Sequence, residues 1–295
     1  MPSADRTTVD VEGTTLRVSN LDKVLYPADG TTKSDVMHHY LVVADAILAQ
    51  LAGRPATRKR WPDGTAKGSF FEKNVPRGTP DWVRTVVLDS PGSTRDREQV
   101  TYPVLEDRAG LIWSANLAAL ELHTPQWTVG PRGGVHPPDR LVIDLDPGEP
   151  AGLPECVEVA YLVREHLEAE GFTVVPVTSG SKGMQLYASD GRQREGTTFR
   201  DYAHGLAQTL ESERRDLVLS SMKREIRTGK VLLDWSQNTP AKTTVTPYSL
   251  RGRERATVAM PRTWDELDAD LQQVHRTEVE DRMADLGDLM EQLTA

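Results

Sequence analysis

Two aspartates separated by one apolar residue close the run Leu141-Val142-Ile143-Asp144-Leu145-Asp146. Side chains alternate along a strand, so Asp144 and Asp146 project from one face while Leu145 points into the core. Two like charges on one sheet face repel unless a cation lies between them, and hard carboxylate oxygens on a rigid strand suit Mg²⁺ or Mn²⁺. A third acid, Asp234, ends the apolar run Val231-Leu232-Leu233. Three carboxylates from two strands could hold two ions about 3.5–4 Å apart, which activates an attacking hydroxyl and stabilises a leaving phosphate. Asp-x-Asp also occurs in turns and in glycosyltransferases, and the spacing alone leaves those readings open.

Phosphate chemistry has further candidates. The loop Ser179-Gly180-Ser181-Lys182-Gly183 concentrates small residues, hydroxyls and one lysine. Its backbone N–H groups can approach a phosphate closely, and Lys182 adds a point charge. The Gly-Lys-Ser/Thr order of a P-loop is missing, and a hairpin tip would use the same residues. Lys242 and Arg251 flank Thr243–Leu250, whose alternation predicts a strand with basic groups near its ends; Arg251 could clamp a phosphate with two donors or make a surface salt bridge. The run Arg54, Arg58, Lys59, Arg60 is followed by Trp61, with Phe70 and Phe71 shortly downstream. Charge for a backbone and flat rings for bases are what single-stranded nucleic acid requires, although such a run also suits a solvated turn.

The elements that must position these groups can be read from periodicity. Val36, Tyr40, Val43, Ile47 and Leu51 predict one helix over 34–51, with Thr32 and Asp35 as reciprocal caps. Leu141–Leu145 predicts a buried strand ended by Pro147-Gly148, followed by a helix carrying Leu153, Val157, Ala160, Tyr161 and Leu167 and stopped by Gly171. Thr173–Thr178 and Met184–Ala188 are too close for a parallel crossover, so they predict an antiparallel hairpin. Phe199, Tyr202, Leu206 and Leu210 predict another helix, and Lys230–Trp235 another strand. The fold class is therefore α+β, with a mainly antiparallel or mixed sheet core flanked by helices and a small N-terminal lobe. The Pro/Gly-rich stretch Gly130–Pro138 is the candidate boundary between a basic N-terminal portion, 1–130, and a catalytic portion, 131–295, within one integrated domain. Thr263, with Glu266 three residues on, opens an acidic tail expected to form helices packed on the outside.

Net charge is −9, which argues at first against a nucleic-acid partner. Residues 264–295 hold ten acids against two bases, so only −1 of that charge belongs to the first 263 residues. No stretch approaches the roughly 18–20 apolar residues of a membrane helix, and the N-terminal MPSADRTTVD lacks the apolar core of a signal peptide, so a cytoplasmic location without membrane contact is expected. The single Cys156 excludes a disulfide framework or a cysteine-rich zinc cluster and is expected to be inert packing.

Taken together, Asp144-Leu145-Asp146-Pro147-Gly148, Thr178–Gly183 and Asp234-Trp235-Ser236-Gln237-Asn238 through Lys242 to Arg251 resemble the polymerase domain of bacterial ligase D, in the archaeo-eukaryotic primase superfamily. The resemblance extends in order through Lys23–Pro27, Arg54–Pro62, Phe70–Lys73 and His123–Trp127, from about Val18 to Leu267. It implies a template-directed, ribonucleotide-preferring polymerase or primase that fills gaps and extends broken ends in non-homologous end joining, near the nucleoid. Asp144, Asp146 and Asp234 would hold two Mn²⁺ or Mg²⁺ ions. Ser179, Lys182 and Arg251, with His123 and Gln237, would contact the nucleoside triphosphate. Asn20, Lys23, Lys33 and Lys59 would grip the 5′-phosphate of a recessed or gapped DNA end, Lys33 also from a helix start, where free N–H groups favour an anion. Phe70 and Phe71 would stack on the template, and Arg227 would help present the primer or template end. A separate DNA ligase and a Ku-type protein are the expected partners, since no adenylation Lys-x-Asp-Gly motif is present.

One departure stands out. The family reads Ser-Gly-x-Lys-Gly-x-His, and Gln185 occupies the histidine position. Glutamine can donate a hydrogen bond but cannot become cationic, so weaker triphosphate binding is expected if it reaches a phosphate. A catalytically weak DNA-end-binding or bridging module is the alternative reading, which retention of all three acids opposes. A glycosyltransferase would explain the aspartates but not Lys23, Lys33 and the 179–183 loop.

Overall fold

The computed structural model describes residues 6–89, 98–192 and 198–293. Met1–Asp5, the start of the N-terminal stretch read above, lies outside the described residues. The helices are α1 (Lys33–Val42), α2 (Ala44–Leu51), α3 (Arg108–Asn116), α4 (Leu153–Ala169), α5 (Thr198–Glu213) and α6 (Val279–Leu286). Thr32 and Asp35 form the expected capping box at the start of α1. The single helix expected over 34–51 is instead two helices that meet at Val43. Val42 and Val43 are consecutive β-branched residues, whose stiff side chains crowd the preceding turn of a helix, and Val43 is fully buried.

Two sheets carry the fold. The larger has six strands in the order Val218–Leu219, Val231–Asp234, Leu141–Pro147, Met184–Ser189, Thr173–Thr178 and Met260–Pro261. Its pairs are antiparallel except the first, which is parallel. The expected hairpin over 173–188 is present in that sheet. The second sheet runs Thr244–Val245, Ala119–Thr124, Thr57–Arg60 and Phe70–Glu72, antiparallel throughout. The mixed, antiparallel-dominated α+β class is therefore the observed one.

Alternation along Leu141–Pro147 sorts its residues between two cores. Leu141, Ile143 and Leu145 pack with Val159, Val163 and Leu210 of α4 and α5. Val142 belongs to the other core, with Tyr187, Leu120, Ile47 and Tyr248, and so joins residues from both sides of the 130 boundary. Asp144 and Asp146 share the face of Val142, between the sheets and away from α4 and α5. Polar side chains fix that inter-sheet geometry. Tyr187 donates its hydroxyl to the Val245 carbonyl at 2.7 Å, and Asn238 bonds both backbone groups of Val142 at 2.9 and 2.7 Å.

Two expectations need correction. Thr243–Leu250 is not one strand: Thr244–Val245 and Leu250–Gly252 belong to different sheets. Pro247 has no ladder donor, and Tyr248 adopts φ 70°, a left-handed conformation that no strand accommodates. The acidic tail carries helical segments on the outside, as expected, but they are short and the tail is also anchored in the core. The Thr263–Glu266 box opens only one 3₁₀ turn, Trp264–Glu266, and among the described residues the tail contains one α-helix, α6. Val274, Val279 and Met290 insert into the core, and Glu266 is drawn inward by Arg262 and Arg282 at 2.9 and 2.6 Å. The tail is thus a strap. Buried Cys156 is packing, as expected.

The capping box gives a test of the local account. Thr32→Ala removes one acceptor from the α1 start and should lower unfolding free energy by about 1 kcal/mol. Urea denaturation reads this as a lower midpoint with an unchanged slope; an unchanged midpoint would mean that tertiary packing alone fixes the helix start.

Candidate active site

Strand pairing brings the three acids together. Asp144 lies directly opposite Asp234 on one side of its strand and opposite Gln185 on the other. Burial, the charge of Asp234 and, more weakly, that of Asp146 push the Asp144 carboxyl up to about 7, against a hydrogen bond from Gln185 Nε2 at 3.1 Å. Asp234 is oriented from its own end of the strand: Oδ1 accepts from the Ser236 amide at 3.1 Å and from the Ser236 hydroxyl, and Oδ2 accepts from Gln237 Nε2 at 2.8 Å. Asp146 faces cations, with Lys182 Nζ at 2.8 Å and Arg227 at 3.0 Å.

This donor set can be tested against a divalent ion. Among the described residues no three His, Cys, Asp or Glu side chains close around one point, and Asp146 is paired with Lys182 and Arg227. Asp144 and Asp234 nevertheless face each other, and among the described residues no basic side chain contacts either carboxylate. Opposed carboxylates with a raised pKa and hard oxygen donors fit Mg²⁺ or Mn²⁺, and Asp146 can complete the set when its cations turn away.

A cleft of about 350 Å³ lies over these acids. It is lined by Asp144, Asp146, Asp234, Ser179, Lys182, Arg251, His123 and Gln237, so all eight predicted catalytic and nucleotide-contacting residues converge there. A larger groove of about 900 Å³ lies beside Trp127 and Tyr102 and shares Thr243 with the cleft, but none of those eight lines it. The small residues of the 179–183 loop reflect close packing. A Cβ on Gly183 would fall 2.1 Å from the Leu145 carbonyl oxygen, and Gly180 sits at φ 64° against Val258 and Arg251. The loop is not an open nest of amides. The Gly180 N–H already donates to Gln273 Oε1 at 2.6 Å, Ser181 N–H to Ser179 Oγ at 3.2 Å, and Gln273 Nε2 binds the Gly183 carbonyl at 2.9 Å. The amides of Ser179, Gly180 and Ser181 are therefore already engaged, and the Lys182 side chain is the charged group the loop presents.

The predicted DNA-contacting residues form two groups and one outlier. Phe70 and Phe71 are exposed on the strand beside the cleft, and Phe71 meets the His123 ring edge-on at 5.4 Å. Lys59 Nζ lies 5.2 Å from the Phe71 ring and 4.8 Å from that of Trp61. The second group surrounds Lys33, which is buried and donates to the Ser19 carbonyl at 2.8 Å and to Asn116 Oδ1 at 2.9 Å. Burial, then the charges of Lys23 and Arg60, lower Lys33 to about 8. Exposed Lys23 binds the Pro62 carbonyl at 2.6 Å and pairs loosely with Asp63 at 3.4 Å, while exposed Asn20 turns the chain at φ 54° and accepts the Lys23 amide. Arg227, the outlier, reaches Asp146. One expectation fails at α1: its first amides are not free, since Lys33 N–H donates to the Lys23 carbonyl and Ser34 N–H to the Leu21 carbonyl, both at 2.9 Å.

Several residues at the site escape a reading by motif. Gln273 clamps the loop, Asn116 holds Lys33, exposed Arg253 borders the cleft, and Glu121 contacts both His123 and Arg251. Glu121 had one legible signal: it is the lone acid in Ala119-Leu120-Glu121-Leu122-His123 and shares a strand face with His123.

Comparison with known proteins gives a consistent family. The model of the LigD primase-polymerase domain matches residues 32–290. The multifunctional non-homologous end joining DNA repair protein LigD of Mycobacterium tuberculosis is 47% identical over 287 residues, covering 94% of this chain and 37% of that protein. The bifunctional non-homologous end joining protein LigD of Bacillus subtilis is 33% identical over 259 residues, covering 87% and 40%. The chain thus spans less than half the length of these curated relatives. The solved polymerase domain from Mycobacterium tuberculosis ligase D in complex with DNA is similar at a TM-score of 0.89 and 45% identity, covering 94% of this chain and 97% of that one. No described helix is long and apolar enough to cross a membrane.

The Gln273 clamp can be tested without assuming an activity. Gln273→Ala should free the Gly180 N–H, speed its amide exchange and lower stability by about 1 kcal/mol for each lost hydrogen bond. Exchange across residues 179–183 that matches the parent would mean the loop is held by other contacts.

Proposed function

The chain belongs to the LigD primase-polymerase family, and from that premise we propose that it is a template-directed nucleotidyltransferase adding nucleotides to a 3′ hydroxyl at gaps and broken DNA ends. The observation that carries this reading is the single cleft in which Asp144 and Asp234 oppose each other beneath Ser179, Lys182 and Arg251. Names of the relatives point to non-homologous end joining as the setting, and a separate DNA ligase and a Ku-type protein as partners are part of the proposal. Preference for ribonucleotides and for Mn²⁺ belongs to the same proposal.

In this reading Asp144, Asp234 and Asp146 hold two divalent ions. When bound, the ions would lower the pKa of the attacking hydroxyl and neutralise the leaving phosphate. Lys182 pairs with Asp146, and in this reading it would turn to the triphosphate and leave Asp146 to the metal. Arg251 and Ser179 orient the triphosphate. Ser236 and Gln237 hold the Asp234 carboxylate in one rotamer, so Gln237 acts on the acid rather than directly on the nucleotide. Gln185 likewise donates to Asp144, from a position that also lines the cleft. The exposed Phe70 and Phe71 give a template base a flat support beside the nucleotide.

Recognition of a 5′-phosphate falls to Lys33 and Lys23. Lys33 is a buried cation with no carboxylate in contact among the described residues, which is the kind of group an incoming phosphate dianion would satisfy. Its α1 amides are taken, so the side chains and the residual helix dipole supply the attraction.

Primer extension on a gapped duplex under Mg²⁺ or Mn²⁺ tests the reaction: the parent should incorporate nucleotides, and Asp144→Asn and Asp234→Asn should fall to background. No incorporation by the parent under either ion would remove the polymerase reading. A second experiment concerns pH. Because Lys33 loses its proton near 8, affinity for a 5′-phosphorylated gap should fall between pH 7.5 and 9, roughly tenfold per unit beyond the pKa, while affinity for a hydroxyl-ended gap stays flat. Parallel pH dependence on the two substrates would take Lys33 out of phosphate recognition.

A further inference from the structure

Glu121 is buried between the two sheets, yet it is a charged group with no part in the reaction described so far. Its Oε2 lies 2.8 Å from His123 Nε2. Its Oε1 accepts the Gly252 amide at 3.0 Å and stands 3.4 Å from Arg251 Nε. Burial raises its pKa, but the His123 hydrogen bond and the charges of Arg251, His123 and Lys59 outweigh that effect and hold the carboxyl well below the usual range. An ionised carboxylate only accepts, so the proton of this contact sits on His123 Nε2 and leaves Nδ1 as an acceptor. Burial, more than the opposing Glu121 contact, lowers the His123 pKa, which keeps the ring neutral near pH 7.

We propose that Glu121 is the positioning residue of the nucleotide site, fixing the tautomer of His123 and the guanidinium of Arg251 through one carboxylate. Arg251 Nε makes no hydrogen bond among the described residues, so the charge of Glu121 anchors that end of the guanidinium while the other donates to the Ser179 carbonyl. The Gly252 amide ties Glu121 to the strand that carries Arg251. Glu121 also pairs in register with Lys59 on the neighbouring strand, and His123 meets Phe71. One buried acid therefore connects the triphosphate-facing arginine to the aromatic shelf beside it. An alternative occupant of the same position, an apolar side chain of similar volume, would suit the core but would leave Arg251 and His123 without their common partner.

The inference rests on the nucleotide-site reading above, and its test separates the two. ATP binding in the presence of Mn²⁺ is measured by calorimetry for the parent, Glu121→Gln, Arg251→Ala and the double variant, with thermal unfolding as a check on folding. Glu121→Gln preserves shape and removes charge, and should weaken ATP about tenfold, the scale of one charge-assisted contact. In steady-state extension the same loss should fall on KM, with kcat within about threefold of the parent. In the Arg251→Ala background the Glu121 change should cost clearly less than in the parent, because only the His123 contact is left to lose. Parent-like ATP affinity in Glu121→Gln overturns the inference alone, as does a full additional loss in the Arg251→Ala background. A parent that binds no ATP overturns both the inference and the polymerase reading. Should Glu121→Gln not fold, Glu121→Asp carries the test: it keeps the charge but reaches only one partner, and ATP affinity equal to that of the parent overturns the proposal.

Discussion

Two aspartates face each other across neighbouring strands of one sheet, and the surrounding structure is organised around that repulsion. Opposed residues in an antiparallel pair carry Cβ atoms about 5 Å apart, where two unit charges repel by about 3 kcal/mol at an effective dielectric near 20. Neither Asp144 nor Asp234 can swing away. Their backbones are fixed by pairing in the six-stranded sheet, Asp144 accepts from Gln185, and Asp234 is gripped by Ser236 and Gln237. The result is a rigid negative site at the edge of a core that is otherwise apolar. It calls for a cation that the side chains in contact with it do not supply.

Charges around that pair are distributed to leave it uncompensated. The nearest bases have other direct partners: Lys182 and Arg227 pair with Asp146, Arg251 with Glu121 and the Ser179 carbonyl, and Lys242 reaches Asp234 only through the Ser236 hydroxyl. Each commitment is reversible by an anion with more charge than a single carboxylate, such as a triphosphate. This arrangement also reconciles a net charge of −9 with a nucleic-acid partner. The excess acid lies in the tail strapped around the core, while the basic and aromatic residues Lys33, Lys23, Arg60, Lys59, Phe70 and Phe71 gather near the cleft or the start of α1.

What the sequence made legible was local. Alternation placed Asp144 and Asp146 on one face and Leu145 on the other, and the five-residue link dictated the hairpin that presents Ser179 and Lys182. The opposition of Asp144 to Asp234 was not legible, since it depends on register between strands far apart in the chain. The extended reading of Thr243–Leu250 failed because alternation outweighed Pro247, and the left-handed Tyr248 has no signature in a bulky aromatic residue. Lys33 was correctly placed at a helix start, but its amides are occupied by carbonyls from the preceding turn, which capping patterns do not report. Glu121 and Gln273 act through long-range contacts, and an acid or amide within an apolar run gives no indication of its partner. The roles assigned to these residues remain tied to the family; the geometry that brings them together is a property of this chain.

We propose that the Asp144–Asp234 pair binds a divalent cation in the absence of nucleotide or DNA. This claim is tested most directly by titrating Mn²⁺ into the isolated protein and following the free-ion signal by electron paramagnetic resonance, for the parent and for Asp234→Asn. The account predicts saturable binding by the parent and an affinity at least about tenfold weaker in the variant, since one hard anionic ligand has become a neutral amide. Equal Mn²⁺ affinity in the two proteins would contradict it and place the cation elsewhere.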